Sequence, residues 1–592
     1  MMKSQPHDPS PPLSWPTLEL CYHLLVAVVL LPLLMVIYGW QTRASMLSWL
    51  ADSHWDVTRM RLLGVARSSL LKLPYDNYDL QWRAFRGSLV LLSVVALVHV
   101  IVGREVRGWR RKDASTRGGW VTGALVYQLV VGLIYLSYLH GAGALFTLLF
   151  VMINYAFSRM AASERVSAGV PGLTWAMSIG LLFLNDRFGG YKWAWLDPRL
   201  GFLDGLKGES RWHVHFPIVS LRMISFNMDA FWSARASSKE AVAVELKERK
   251  AAGDGWCADG GAAAVPLTLR ERERGHRPLS DYHLLGYLAY VVYSPLYLAG
   301  PILTYNAFIS QMASPAHPPR RHLAMYLARW VACVLLMDAF LCVNWSNALI
   351  SNQRMFHQWA HVGVGQLAVG AFTTLGFIWL KFLVIWRFFR LWAMADGVET
   401  HENMGRCVYN NYSTEEFWRT WHRSFNQWLV RYIYLPLGGG KWKALNIWVV
   451  FAYVAVWHDI RLKLISWAAL LCAILVPELL ARRLWHTAVT KGARAKWSRR
   501  VVAAAGALNV YGMMAANLCG FACGLEGLRL LVERLMTAEG VAVLAVSYAI
   551  LFSLVNVMLW IRQTEEGETR DGMVSRPVQV AGDQSVSQPV NQ

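Results

Sequence analysis

Long runs of apolar residues recur along the whole chain and are separated by polar connections. Eight runs approach the roughly 20 residues that a helix needs to cross a bilayer, and they lie at 18–40, 87–103, 119–139, 323–344, 365–389, 463–481, 499–520 and 540–560. Four shorter or less pure runs lie at 142–157, 171–185, 284–300 and 445–457. The pattern predicts an all-α polytopic membrane protein with about 10–12 transmembrane helices plus re-entrant segments.

Polar stretches divide the chain into one large membrane domain and two tails. Residues 1–17 and 563–592 are polar and are predicted to be disordered. The membrane domain is predicted over 18–562, with an insertion loop at 233–280 whose middle is rich in glycine and alanine. The first apolar run has no basic segment and cleavage site of the kind that signal peptides carry, so it is predicted to be a retained span.

The charges lie between the apolar runs rather than on a soluble face. The chain has a net charge of +20, yet only 16% of its residues are charged, against about 25% in a soluble domain. The densest basic blocks lie at 104–117 and 481–500, and the positive-inside rule predicts that both face the cytosol. Basic blocks that flank spans argue against nucleic-acid binding and leave membrane lipids as the expected partners.

One stretch carries many charged and aromatic side chains for a membrane protein. Residues 417–437 read FWRTWHRSFNQWLVRYIYLPL. Trp418, Trp421, Phe425 and Trp428 recur at helical spacing, which predicts an aromatic stripe along a helix. An amphipathic helix at the membrane interface is one interpretation, and a helix that lines a functional cavity is the other. Further segments too polar to face lipid predict a polar cavity within the bundle, and they lie at 211–229, 293–308 and 457–463.

Two histidines stand in neighbouring segments of this kind. His458 follows a long apolar run, and His422 lies in the aromatic stretch before it. A single histidine in an apolar run is more often structural than catalytic. A pair favours catalysis, because histidine is the usual general base for an alcohol and a second polar group can orient it or the substrate. Asp459 is expected to act indirectly, since adjacent residues on a helix point about 100° apart.

The order of these segments resembles the membrane-bound O-acyltransferase (MBOAT) superfamily over most of the chain. The signature of that superfamily is a histidine in an apolar run, preceded by a polar helix with Asn, Asp or His. The chain is most similar to the branch of the Gup (glycerol uptake protein) and hedgehog acyltransferases. The resemblance is carried by LRMISFNMD (221–229), YSPLYLAGPILTYNAF (293–308), WRFFRLWAMADGVETHENMGRCVYNNYS (386–413), FWRTWHRSFNQWLVRYIYLPLGG (417–439) and VAVWHDI (454–460).

The resemblance implies roles for individual residues. It places His458 at the catalytic histidine, with Asp459 and Trp457 in supporting positions. His422 is expected to stabilise the oxyanion or to hold the acceptor. Hedgehog acyltransferases have Asp at the position of His422, which argues against a hedgehog-type substrate. Arginines suit the phosphates of CoA, and the residues expected to bind CoA or substrate are Arg387, Arg390, Arg419, Trp421, Arg423, Asn426, Arg431, Tyr432, Asn403 and Asn411.

The implied reaction moves a long fatty acyl chain from acyl-CoA to a hydroxyl of a lysolipid. The expected acceptor is the sn-2 position of lyso-phosphatidylinositol (lyso-PI) in GPI anchors. The expected location is the endoplasmic reticulum membrane, with other endomembranes and the plasma membrane as alternatives. A protein acyltransferase and a non-enzymatic glycerol transport or uptake protein are the alternatives. Cys407 resembles a cysteine that binds haem iron in hedgehog-type relatives, which makes haem a candidate cofactor beside the plainer reading as a partly buried thiol. No other metal site is expected.

Overall fold

The computed structural model describes residues 17–51, 65–67, 74–112, 117–160, 169–236, 267–488 and 491–574. These residues form twenty α-helices and one small sheet. The first ten helices are α1 (Thr17–Leu25), α2 (Leu31–Ala51), α3 (Leu80–Lys112), α4 (Arg117–His140), α5 (Ala144–Met160), α6 (Val170–Phe188), α7 (Trp212–Ala236), α8 (Leu269–Arg274), α9 (Leu284–Val291) and α10 (Tyr305–Ala313). Strands β1 (Val65–Arg67) and β2 (Pro74–Asp76) pair antiparallel, with Ala66 opposite Tyr75.

The second half of the chain contributes ten more helices and encloses the candidate site. These helices are α11 (Arg320–Val343), α12 (Ser346–Ile350), α13 (Val364–Ala395), α14 (Thr414–Thr420), α15 (Arg423–Leu429), α16 (Lys443–His458), α17 (Leu462–Ala488), α18 (Lys491–Phe521), α19 (Gly524–Leu535) and α20 (Ala538–Val574). A π-helical turn at Val430–Tyr434 continues α15.

Eight helical stretches in the described residues are long and apolar enough to cross a membrane, and the all-α polytopic class is confirmed. They are Leu18–Trp49, Leu80–Arg107, Val121–His140, Arg320–Val343, Val364–Ala395, Leu462–Leu484, Arg499–Phe521 and Ala538–Glu566. The four shorter apolar runs of the sequence form α5, α6, α9 and α16, of 17, 19, 8 and 16 residues. These shorter helices pack among the long ones and build the interior of the bundle.

The predicted domain limits stay predictions. Helix α20 continues past residue 562 to Val574. Residues 1–16, the middle of the insertion loop (237–266) and residues 575–592 lie outside the described residues.

Helix α7 is a wall shared by two hydrophobic cores and is buried over most of its length. Phe216 and Phe226 pack into one core with aromatic residues of α9 and α10. Leu221 and Ile224 pack into the other core with residues of α15, α16 and α17. Close packing on both sides makes α7 a rigid support for the second core, which contains the candidate site.

The aromatic stretch 417–437 is not the single helix that its spacing suggests. It consists of α14, α15 and the π-helical turn. The chain breaks at His422, whose φ of 44° lies in the left-handed region. Phe425 and Trp428 are nevertheless buried, as the predicted aromatic stripe requires. The spacing therefore identified the inward face of the stretch but not the break, which depends on hydrogen bonds from another segment.

Candidate active site

His458 is the last residue of α16 and lies among aromatic rings. The ring centroids of Trp457, Trp467 and Phe521 lie 4.8, 6.1 and 5.6 Å from that of His458. His458 is an exposed residue, and it lines a cavity that opens to the surroundings of the protein. The end of α16 therefore places the imidazole of His458 at the wall of a cavity, among aromatic rings.

The two neighbours of His458 have separate contacts. Trp457 donates a hydrogen bond from Nε1 to the carbonyl oxygen of Pro217 at 2.9 Å, which ties the end of α16 to α7. Asp459 has extended backbone, with φ of 177°, and pairs with Arg461 at 2.8 Å. Helix α16 ends at His458, with Asp459 as its C-cap, and the indirect role expected for Asp459 stays a prediction. The carboxylate of Asp459 belongs to the turn that leads to α17.

His422 occupies the break between α14 and α15. It is the sole non-glycine residue with positive φ within the described ranges. Left-handed backbone at such a residue costs of order 1–3 kcal/mol and is concentrated at functional sites. The imidazole stacks on Trp386 with ring centroids 4.3 Å apart, and its buried Nε2 has no hydrogen-bond partner among the described residues. Burial and the nearby His458 lower the pKa of His422, so the ring is neutral at pH 7.

Asn403 holds the backbone that follows His422. Its carbonyl oxygen accepts from the N–H of Arg423 at 3.1 Å, and its Oδ1 accepts from the N–H of Ser424 at 3.2 Å. These N–H groups begin α15 and have no partner within the helix, so Asn403 acts as an N-cap supplied from another segment. In the structure the two oxygens of Asn403 position the turn at His422, and its expected role in substrate binding stays a prediction.

His422 and His458 face the same cavity, whose volume is about 180 Å³. One face of α16 forms its long wall, from Lys443 at the first turn to His458 at the last. At ~1.5 Å of rise per residue, this wall is about 22 Å long. The other lining residues are mostly apolar or aromatic and include Trp418, Phe425, Leu429, Tyr434, Ile447, Phe451, Val454 and Leu475. The cavity is therefore mainly apolar rather than polar as the sequence suggests, with its charged groups near the start of α16.

Charged residues gather where α16 begins. Glu415 accepts from Arg419 at 2.9 Å, from Lys443 at 3.3 Å and from Arg482 at 3.2 Å. Glu415, Arg419 and Lys443 all line the cavity. We call these three residues the charged mouth, and they lie at the opposite end of α16 from His458. The cavity therefore has cationic side chains at one end and an imidazole at the other.

Three of the ten residues expected to bind CoA or substrate line the cavity, namely Arg419, Trp421 and Asn426. Arg387 and Arg390 pair instead with Glu402, at 3.4 and 3.6 Å. Asn411 donates to the carbonyl oxygen of Cys407 at 2.8 Å, and the side chain of Arg423 is exposed. These four residues are not part of the cavity lining.

Arg431 and Tyr432 lie in a buried network around Asp229. Arg431 pairs with the carboxylate of Asp229 at 2.8 Å, and the hydroxyl of Tyr432 lies 3.0 Å from both of its oxygens. The hydroxyl of Tyr432 also hydrogen-bonds Ser225 at 2.8 Å. The network joins the π-helical turn to α7, so these two residues support the fold of the site.

Four residues important to the site escape the sequence reasoning. Glu415 precedes Arg419 by four positions, and this spacing of opposite charges on a helix was the available signal for it. Asp229 is the last residue of the segment 211–229, which the sequence marks as too polar to face lipid, and Lys443 stands just before the apolar run 445–457. Trp386 has no local signal, because only the fold brings it against His422.

Cys407 does not fit a haem site. The cavity that its neighbours Val408, Tyr409 and Asn411 line holds about 50 Å³. That volume suits about one or two water molecules, not a porphyrin. Burial of the thiol and the hydrogen bond from Asn411 to its carbonyl support the plainer reading of Cys407 as a partly buried thiol.

The geometry supplies the components of an acyl transfer. An imidazole at the cavity wall can take a proton from a hydroxyl. A second, neutral imidazole with an unpaired nitrogen can donate a hydrogen bond to a developing oxyanion. The apolar walls keep competing water away from the reacting carbonyl.

Comparison with known proteins agrees with this chemistry. The family model described as MBOAT, membrane-bound O-acyltransferase family, matches residues 202–524. The chain is 36% identical, over 83% of its length and 81% of the relative, to membrane-bound O-acyltransferase gup1 of Schizosaccharomyces pombe. It is 34% identical, over 94% of its length and 93% of the relative, to GUP1 of Saccharomyces cerevisiae. It is 29% identical to the protein-cysteine N-palmitoyltransferase HHAT of Mus musculus, over 34% of this chain and 41% of that protein.

The matched region contains both histidines, the apolar cavity and the helices that enclose them. The relatives named as O-acyltransferases match the chain over most of its length, whereas the relative named as a protein acyltransferase matches about a third of it. The chain belongs to the membrane-bound O-acyltransferase family and is a multi-pass membrane acyltransferase.

Proposed function

We propose that this enzyme transfers a long fatty acyl chain from acyl-CoA to the sn-2 hydroxyl of lyso-PI in GPI anchors, in the endoplasmic reticulum membrane. The observation that carries the proposal is the pair of imidazoles, His422 and His458, on one apolar cavity. The extensive similarity to the proteins named GUP1 supports a hydroxyl acceptor over a cysteine amine. His422, where hedgehog acyltransferases have Asp, supports the same choice.

The donor is proposed to lie along α16. Its phosphates meet Arg419 and Lys443 at the charged mouth, because guanidinium and ammonium groups bind phosphate oxygens well. The thioester then reaches His458, since the cavity joins the two ends of the helix. The apolar walls between them suit the uncharged remainder of the donor. Acyl-CoA is made in the cytosol and the GPI acceptor faces the lumen, so the proposed path also joins the two sides of the membrane.

The proposed reaction is a direct transfer. His458 takes the proton of the acceptor hydroxyl while the oxygen attacks the thioester carbonyl carbon. His422 donates a hydrogen bond to the oxyanion as the carbonyl opens. When the carbonyl re-forms, the carbon–sulfur bond breaks, and the CoA thiolate leaves with the proton held by His458. The products are the acylated lipid and CoA thiol, and both imidazoles return to the neutral state.

The test uses membranes that contain the full chain, labelled long-chain acyl-CoA and lyso-PI or lyso-GPI. We expect His458→Ala to lower transfer by about 10²- to 10⁴-fold, the usual contribution of a general base. The matched control is His357→Ala, at an exposed histidine outside the cavity lining, which should behave as wild type. A peptide with N-terminal cysteine serves as the competing acceptor. Transfer to the peptide alone, or equal transfer by wild type and His458→Ala, would overturn the proposal.

A further inference from the structure

A second group of imidazoles and hydroxyls lies outside the cavity of His422 and His458. His140, at the end of α4, hydrogen-bonds through Nδ1 to the carbonyl oxygen of Ser210 at 2.9 Å and through Nε2 to the hydroxyl of Tyr297 at 3.0 Å. The Ser210 hydroxyl lies 2.8 Å from Nε2 of His215. The rings of His140 and His215 are 5.4 Å apart. We call His140, Ser210, His215 and Tyr297 the hydroxyl cluster.

The proton positions in this cluster follow from its partners. The carbonyl oxygen of Ser210 can only accept, so Nδ1 of His140 carries the proton in the neutral ring. Nε2 of His140 then accepts from the hydroxyl of Tyr297. The oxygen of Tyr297 and the hydroxyl of Ser210 each keep a lone pair for a further donor. The cluster therefore offers acceptor lone pairs to the hydroxyl groups of a ligand.

Part of the cluster can reach a ligand, and its surroundings have unused hydrogen-bonding capacity. Ser210 and His215 are half-buried, whereas His140 is buried. The hydroxyl of Tyr135, a residue packed in the same core as Tyr297, is buried and has no partner among the described residues. A buried hydroxyl without a partner is costly, and a ligand with several hydroxyls would satisfy it.

The cluster lies beside the helix end that carries His458. Trp457 hydrogen-bonds the carbonyl oxygen of Pro217, which is two residues after His215. On the neighbouring helix α6, Asp186 lies within hydrogen-bonding reach of Asp459. Four residues further on, Gly190 packs directly on the ring of His213. One direct contact, and one indirect path through α6 and Gly190, thus link the start of α7 to the residues on either side of His458.

We propose that the hydroxyl cluster binds the polyhydroxylated headgroup of the acceptor, so that the reacting hydroxyl lies at His458 while the donor occupies the apolar cavity. This inference rests on the proposed acyl transfer to a lysolipid. The cluster contains neutral imidazoles and hydroxyls but neither a carboxylate nor a guanidinium. It therefore suits neutral sugar-like hydroxyls, and it lacks the anionic partner that a choline headgroup would favour.

The test measures discrimination between two headgroups. Wild type, Tyr297→Phe and Ser210→Ala are compared with lyso-PI and with lysophosphatidylcholine as acceptors, at fixed acyl-CoA. Each variant removes one hydroxyl and almost no volume. We expect the KM for lyso-PI to rise about tenfold, as for the loss of one hydrogen bond. The KM for acyl-CoA and the kinetics with lysophosphatidylcholine should not change. Tyr138→Phe, an exposed tyrosine on the same helix as His140, is the matched control.

Two outcomes would overturn the inference. One is an unchanged preference for lyso-PI in both variants. The other is an equal loss with both acceptors, which is the mark of structural damage. If wild type acylates neither lysolipid, the proposed function fails. A binding experiment then tests by itself whether the hydroxyl cluster binds the headgroup. In that case lyso-PI is added to purified His458→Ala and to purified His458→Ala/Tyr297→Phe. The rise in melting temperature is then compared between the two variants. Loss of a lyso-PI-specific shift supports the subsite, and equal shifts refute it.

Discussion

The segment formed by α15 and its π-helical turn has buried polar groups at both ends. At one end these groups are hydrogen-bonded to one another, and at the other end a buried nitrogen has no partner among the described residues. After the helix, Asp229, Arg431 and Tyr432 satisfy one another at 2.8–3.0 Å. Before the helix, His422 keeps a buried nitrogen without a partner among the described residues and a strained backbone. The short segment between them is the same aromatic stretch that the sequence marks as unusual.

The difference teaches which polar groups maintain the fold and which are available for chemistry. Buried polar groups are nearly always hydrogen-bonded, so a complete network is the ordinary structural solution. A buried imidazole with an open nitrogen, held in a costly conformation, requires a reason beyond folding. The satisfied network anchors one end of the segment, and Asn403 anchors the other end, directly after His422.

The largest expected effect is a loss of stability, and it follows from breaking the hydrogen-bonded network around Asp229. Asp229→Ala leaves the mostly buried cation of Arg431, whose side chain is 20% exposed, without its partner, and we expect a loss of about 3 kcal/mol in stability, the low end for a buried pair. Thermal and denaturant unfolding in detergent would measure it. The matched variant Asp229→Leu/Arg431→Met removes both charges and should recover most of that loss. If the single and double variants are equally stable, the pair does not hold the segment.

The next effect separates strain from chemistry at His422. His422→Gly keeps the left-handed turn, relieves its strain and removes the imidazole. We expect stability to change by no more than about 1 kcal/mol, because relief of the left-handed strain offsets the lost packing of the ring on Trp386. Acyl transfer should fall about 10²- to 10³-fold through loss of an oxyanion donor. Unfolding and initial rates on the same preparation would show a retained fold together with lost activity. A stability loss together with full activity would identify His422 as a packing residue.

A smaller effect is expected at the cap that positions His422. Asn403→Ala removes one capping acceptor and should cost about 1 kcal/mol in stability, with a fall in kcat and little change in the KM for acyl-CoA. Asn403→Asp keeps the acceptor and should restore both quantities. A rise in KM without a change in kcat would instead support the sequence-based expectation that Asn403 binds substrate.

The smallest effect is expected for an exposed ion pair near the cavity mouth. The side chain of Arg419 is 59% exposed and pairs with Glu415. Arg419→Ala should change stability by no more than about 0.5 kcal/mol, because exposed ion pairs are screened by water. Comparison of its unfolding curve with that of Asp229→Ala tests the contrast between exposed and buried pairs. A loss as large as that of Asp229→Ala would remove the contrast.

Much of the architecture could be predicted from the apolar pattern, and the site only in part. The long apolar runs correspond to the helices that can cross a membrane, because length and hydrophobicity are local properties. The two histidines could be singled out because ionisable residues in apolar surroundings are rare. Arg387, Arg390 and Arg431 were grouped with the CoA-binding candidates because they lie in the same charged segments. The structure instead gives each of them a carboxylate partner.

The sequence by itself determined the membrane class, the positions of most spans and the choice of His422 and His458. Tertiary structure alone decided that the aromatic stretch breaks at His422, that Trp386 stacks on it and that Asn403 caps the next helix. It also decided which arginines reach the cavity, since Arg419 lines it while Arg387, Arg390 and Arg431 do not. The physical reason is that helix formation and hydrophobicity act over a few residues. Cavity walls, caps and ion pairs instead depend on segments that are distant in the chain and meet only when the helices pack.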